Sequence, residues 1–106
     1  MTQFPVKNRR SKISPGGIVT LPVSARRALG FEVGKGARVT AAVEESAVVL
    51  RRSAEVAGIR VSPGGQAELV GEPRRLLGSG IGRHYWLEID DEKQQVALHP
   101  DGQAAT

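Results

Sequence analysis

Apolar and polar residues alternate over two stretches of the chain. In residues 38–44, Val39, Ala41 and Val43 share one face, with Arg38, Thr40 and Ala42 on the other. In residues 84–90, Tyr85, Leu87 and Ile89 make the apolar face. A period of two predicts half-buried strands, and the returning segments 47–51 and 94–99 complete a hairpin with each. Upstream of each hairpin, Pro22-Val-Ser-Ala-Arg-Arg-Ala-Leu-Gly30 and the segment from Glu72-Pro73 to Gly78 read as short helices, opened near a proline and closed by a glycine. Before each helix, Ser-Pro-Gly-Gly at 14–17 and at 62–65 turns the chain between two short strands, the second ending at Leu21 or Leu69.

The two sets of elements are copies. A shift of 48 residues aligns 12–52 with 60–100 without a gap, and 13 of the 41 positions are identical. Among them are the whole Ser-Pro-Gly-Gly turn, Arg26/Arg74, Arg27/Arg75, Leu29/Leu77, Gly30/Gly78 and Gly34/Gly82. Unrelated segments would share two or three, so the chain is an internal duplication of a ββαββ unit. A unit of that length buries too little surface to be stable alone, so the copies must share a core. The expected fold is mainly β with two short helices, built as one interleaved barrel.

Charge adds a second asymmetry to this picture. Residues 1–52 carry ten bases against three acids, a net of +7, and residues 53–106 carry five against eight, a net of −3. A polyanion is expected to meet the N-terminal half. With no cysteine, there is neither a disulfide framework nor a thiolate metal site. Met1 to Lys7 lacks the apolar stretch of a signal peptide, and no apolar run approaches the roughly 20 residues that span a bilayer. A cytoplasmic location, with no membrane contact, is the resulting expectation.

The run Lys12-Ile-Ser-Pro-Gly-Gly-Ile-Val-Thr-Leu-Pro22, followed by Ala25-Arg-Arg-Ala-Leu-Gly30, Val33-Gly34 and Val39, resembles the AbrB/MazE/SpoVT swapped-hairpin DNA-binding family. The resemblance is specific across 11–52 and stays in register across 59–100. It implies a swapped-hairpin β-barrel made from two ββαββ units, and a double-stranded DNA-binding transcriptional regulator that occludes promoter DNA. An antitoxin, with the second copy as its protein-binding surface, is the alternative within the family. The DNA-binding residues so implied are Lys12, Arg26 and Arg27, with Arg9 and Arg10 upstream, and Arg60, Arg74 and Arg75 in the second copy. Two departures from the family pattern stand out. Ile18, with Gln66 as its match in the second copy, stands where many members carry a basic or polar residue after the turn, and Gly34-Lys35 and Gly82-Arg83 replace Gly-Asp after the helix.

On residue chemistry alone, arginines and lysines neutralise phosphates, and arginine also reads guanine edges. Adjacent residues on a helix point about 100° apart, so at most one arginine of each pair faces the core side. That one could instead brace a strand carboxylate. Trp86 is either a cover over the barrel end or an anchor for a protein partner. No enzyme activity and no cofactor are expected. The glycines of 30–36 lack phosphate-loop spacing, those of 78–82 follow a helix where a dinucleotide fingerprint precedes one, and His84 and His99 lack further metal ligands at suitable spacing. Glu88, Asp90, Asp91 and Glu92 read as a solvated rim.

The expected organisation is a basic arm at 1–10, repeat 1 at 11–52, a linker at 53–58, repeat 2 at 59–100 and a flexible tail at 101–106. The pattern leaves open whether the copies pair within one chain as a pseudo-dimer or between chains of a homodimer. Swapped-hairpin and double-psi strand orders also stay unresolved.

Overall fold

The computed structural model describes residues 3–32, 34–53 and 58–101, with backbone alone for 3–11 and 81. Among the described residues the strands and α-helices follow in the order β1 (Gln3–Lys12), β2 (Ile18–Thr20), α1 (Val23–Ala28), β3 (Ala37–Glu44), β4 (Ala47–Arg52), β5 (Ile59–Val61), β6 (Gln66–Glu68), α2 (Gly71–Gly78), β7 (His84–Asp90) and β8 (Gln95–Pro100). The chain is mainly β. Its eight strands form a single antiparallel sheet in the order β1-β7-β8-β4-β3-β5-β6-β2.

That order is the repeat written in space. The first strand of each copy pairs with the third strand of the other, β1 with β7 and β5 with β3. Like strands also pair across the copies, β2 with β6 and β4 with β8. Val19 lies opposite Ala67 and Val49 opposite Ala97, each pair being the same repeat position in the two copies. A pseudo-two-fold axis therefore runs through both points. The sheet curls until its end strands meet, where Ser14 N–H donates to Ile18 O at 3.1 Å, the counterpart of Ser62 N–H to Gln66 O at 2.9 Å. Exchanging the copies maps this strand order onto itself.

One continuous core fills the curl. Val19, Leu21, Leu29, Val39, Val48 and Leu50 from the first copy pack with Val61, Leu69, Leu77, Leu87, Val96 and Leu98 from the second, all fully or almost fully buried. Burying such a side chain is worth roughly 1.5–3 kcal/mol, which neither copy could collect alone. Ala47, Val49 and Ala97 form a smaller buried cluster of their own.

The copies differ where their sequences align without a gap. Helix α1 ends in a Schellman arrangement, with Gly30 N–H donating to Arg27 O and Phe31 N–H to Arg26 O, both at 2.9 Å. Gly78, expected to close α2 in the same way, is instead its last helical residue. Ser79 takes the cap, its Oγ donating to Leu76 O at 2.6 Å. The longer helix is followed by a shorter connection and a 3-10 turn at Ile81–Arg83. Val39 lies opposite Arg52 and Ile59, whereas Tyr85 lies opposite Pro100 and Ser11, so Tyr85 occupies the place of Val39 at an offset of 46. The hairpin turns restore the count. Glu45 and Ser46, both at positive φ, close β3 to β4 in two residues, and 91–94 close β7 to β8 in four. Trp86 thus matches Thr40, not Arg38 as the gapless alignment has it.

Residues 3–10 extend β1 along β7, from Gln3 opposite Asp90 to Val6 opposite Leu87. The register shifts between Val6 and Ser11. Pro5 is accommodated because β1 pairs on one side only along this stretch, where a missing N–H is tolerated. Of the expected linker, 54–57 lie outside the described residues, as do 102–106 of the tail. Asp101 N–H donates to His84 O at 2.9 Å. Among the described residues, no helix is long and apolar enough to cross a membrane, and no three His, Asp or Glu side chains converge as a metal site.

Candidate nucleic-acid interface

The two Ser-Pro-Gly-Gly turns lie beside the pseudo-axis, each resting on the other copy. Ser14 O accepts from Gly17 N–H and Ser14 Oγ from Ile18 N–H, and Ser62 repeats both bonds with Gly65 and Gln66. Leu21 N–H donates to Gly65 O and Leu69 N–H to Gly17 O, each at 2.8 Å, stitching the turns together. Gly17 and Gly65 sit at φ +85° and +87°, and a Cβ on Gly65 would stand 2.5 Å from Leu21 O. Only glycine satisfies both the left-handed backbone and that approach.

The arginine pairs divide as helical geometry requires. Arg26 turns inward across the axis. Its Nε donates to Leu21 O and its Nη1 to Pro63 O, each at 3.1 Å. Arg74 makes the corresponding reach, Nη2 to Pro15 O at 2.7 Å. The brace anticipated for one arginine of each pair thus exists, but it grips turn carbonyls of the opposite copy instead of a strand carboxylate. Arg27 and Arg75 are exposed, as are Lys12 and Arg60. Among the described residues none of these four has an acidic partner: the ion pairs are Glu32 with Lys35, Glu44 with Arg51 and Glu88 with His99. Arg9 and Arg10 lie on β1 where its register shifts, and their side chains fall outside the described residues.

Sheet register adds two residues that periodicity did not single out. Arg38 lies directly opposite Arg60 on β3 and β5. At the pseudo-symmetric position on β7 and β1, His84 lies opposite Lys12. All four are on the outer face, because Val39 and Val61 beside one pair, and Tyr85 and Ile13 beside the other, are buried. The basic strand positions therefore come in two cross-strand pairs flanking β2 and β6. The sequence-level contrast between a basic and an acidic half does not become two lobes, since the halves interleave strand by strand.

Trp86 lies on the β7–β8 hairpin, half-buried. Its ring stacks on His99 at 4.1 Å between centroids and 14° between planes, and His99 Nε2 meets Glu88 Oε1 at 3.1 Å. At Ile18 the structure presents an exposed apolar side chain on β2, opposite Glu68.

Comparison of the chain with known protein families, with curated proteins and with solved structures finds no match in any of the three.

Proposed function

We propose that this protein binds double-stranded DNA across the pseudo-two-fold face and regulates transcription by occluding promoter DNA. The observation that carries the reading is the recurrence of exposed, acid-free cations at related places in the two interleaved copies: Arg27 with Arg75, and Lys12 with Arg60. Duplex DNA presents phosphates with its own local two-fold symmetry, and symmetric binders match it half-site to half-site. The exchange of first strands between copies supports assigning the chain to the swapped-hairpin arrangement of the AbrB/MazE/SpoVT family, realised within one chain as a pseudo-dimer. Arg26 and Arg74 serve this face indirectly, by holding its turns. The antitoxin alternative rests on Trp86, whose ring already has His99 as a stacking partner, so the DNA reading is preferred.

Fluorescence anisotropy on duplex DNA from the protein's own promoter, titrated with salt, tests the proposal. Contact with about five phosphates gives a log-log slope near −4.5. Arg27→Ala/Arg75→Ala is expected to flatten that slope. Absence of binding by the wild type at low salt sinks the reading.

A further inference from the structure

We propose that the open depression over the paired strands β3 and β5 is a phosphate seat in which Arg38 and Arg60 grip a single phosphate group together. The inference deepens the DNA-binding reading and rests on it for the source of that phosphate, a phosphodiester of the duplex backbone.

Two arginines directly opposite one another in an antiparallel pair repel, and such pairs destabilise a sheet unless something neutralises them. Nothing among the described residues does so, since neither guanidinium meets a carboxylate. Arg38 is nevertheless held in place, its Nη1 donating to Gly58 O at 3.1 Å. A guanidinium has five N–H donors, so this bond fixes the group while leaving others to point at a ligand. Arg60, by contrast, is exposed, and its side chain makes no hydrogen bond or ion pair within the described structure.

Over the paired strands lies an open depression of about 280 Å³ lined by Gly36, Ala37, Arg38, Arg60 and Pro63. Gly36 and Ala37 leave the floor almost bare of side chain, and the only charges on the walls are positive. The Pro63 wall is itself fixed, because Pro63 O accepts from Arg26 Nη1. Two arginines lining one small open space suit the tetrahedral oxygens of a phosphate, which guanidinium forks bind bidentately.

The pseudo-symmetric position sharpens the inference. There Lys12 faces His84, and Pro15 stands where Pro63 does. A lysine is a point charge and an imidazole offers at most two donors, so the geometry of the fork is lost. The seat is built in full once, and a bound duplex would be gripped more firmly on the β3–β5 side than on the β1–β7 side.

Anisotropy on the promoter duplex, with salt titration, compares the wild type with Arg38→Gln, Arg60→Gln and the double variant. If both arginines share one phosphate, the slope loss is capped at that one contact, about 0.9 in the double variant and no more than that in either single, with an affinity loss of about tenfold in the double. A slope loss near 1.8 in the double and half that in each single means two separate phosphates and overturns the shared seat. Unchanged affinity and slope overturn it outright while leaving DNA binding intact. Thermal melts accompany each variant. Should the loss of the Arg38 bond to Gly58 unfold the chain, Arg60→Gln and Arg38→Lys carry the comparison, Arg38→Lys keeping the charge while removing the fork.

A second arm separates failure of the DNA reading from failure of the seat. If the wild type binds no duplex, the Arg38 and Arg60 Nε–H signals are followed by NMR during titration with inorganic phosphate. Shifts confined to those two residues support the seat, with a phosphorylated small molecule as its occupant. No shift at either overturns it.

Discussion

Arg74 reaches back across the pseudo-axis to Pro15, donating from Nη2 to the proline carbonyl at 2.7 Å, and Arg26 does the same to Pro63 at 3.1 Å. Each copy's helix thereby holds the turn of the other. A helix arginine that looks in sequence like a phosphate contact is, in this fold, a clasp between repeats.

Replacing the clasp separates stability from binding. Arg26→Ala, which removes two bonds from a half-buried guanidinium, is expected to cost about 1–2 kcal/mol, and the exposed Arg74→Ala about 1 kcal/mol or less. Arg27→Ala and Arg75→Ala should stay within roughly 0.5 kcal/mol of wild type. Urea denaturation monitored by Trp86 fluorescence checks the order. If Arg27→Ala destabilises as much as Arg26→Ala, the division of labour within the pair is wrong.

Gly65→Ala is the corresponding test of the turn. The added methyl would meet Leu21 O at 2.5 Å and Arg26 Nε at 2.8 Å, at a backbone φ of +87°. A loss of about 2 kcal/mol is expected, lowering Tm by roughly 10 °C. Gly16→Ala is the control, since its Cβ would meet nothing nearer than Ser14 Oγ at 3.8 Å. Near-equal Tm values for the two variants would count against the close approach.

Glu44 supplies a pH signature on the β3–β4 hairpin. Arg51 donates to it from Nη1 at 2.9 Å and from Nη2 at 3.3 Å, and these hydrogen bonds hold its carboxyl below the ordinary glutamate value of 4.5, against a smaller opposing effect of desolvation. Because the folded-state pKa is the lower one, the stability this pair contributes is present above the unfolded value and is lost as pH falls through the folded one. In an NMR carboxyl titration Glu44 should titrate below an ordinary glutamate, and Arg51→Gln should return it to the ordinary range.

Tyr85 joins core and edge. Its ring is buried, and its hydroxyl accepts from Thr20 N–H at 3.2 Å across the sheet curl. Tyr85→Phe keeps the packing but leaves that amide without this acceptor, at a cost of about 1 kcal/mol. Hydrogen exchange at Thr20 should quicken in the variant, and an unchanged rate would show that the bond contributes nothing.

Much of this architecture was legible in the sequence because the repeat marks it. Ser-Pro-Gly-Gly fixes both turns, and the alternation in 38–44 and 84–90 gives both hairpins. The two-residue offset of β7 was hidden because a longer α2 with its shorter connection and a longer hairpin turn cancel, leaving Glu44 aligned with Glu92 although Glu92 lies in the turn. The β1 extension was masked by Pro5 and by the basic run at 7–12, which read as an arm. Opposition of Arg38 and Arg60 depends on which strands pair between copies, and no local pattern encodes that. The roles of Arg26 and Arg27 differ for a related reason: their spacing predicts divergence, but the acceptor waiting for Arg26 is 37 residues away.

Interleaving two copies on one chain also changes what dilution can do. Were the copies separate molecules, each would have to find its mate, and assembly would weaken with falling concentration. Tethered by a short connection, each meets the other at an effective concentration in the millimolar range, whatever the cell holds. In this structure each copy pairs with its own sibling. A half-length copy would have to compete with that tether to take either place, and under such protection the two halves can differ, as β7 and its longer turn differ from β3 and its two-residue turn, without losing their shared interface.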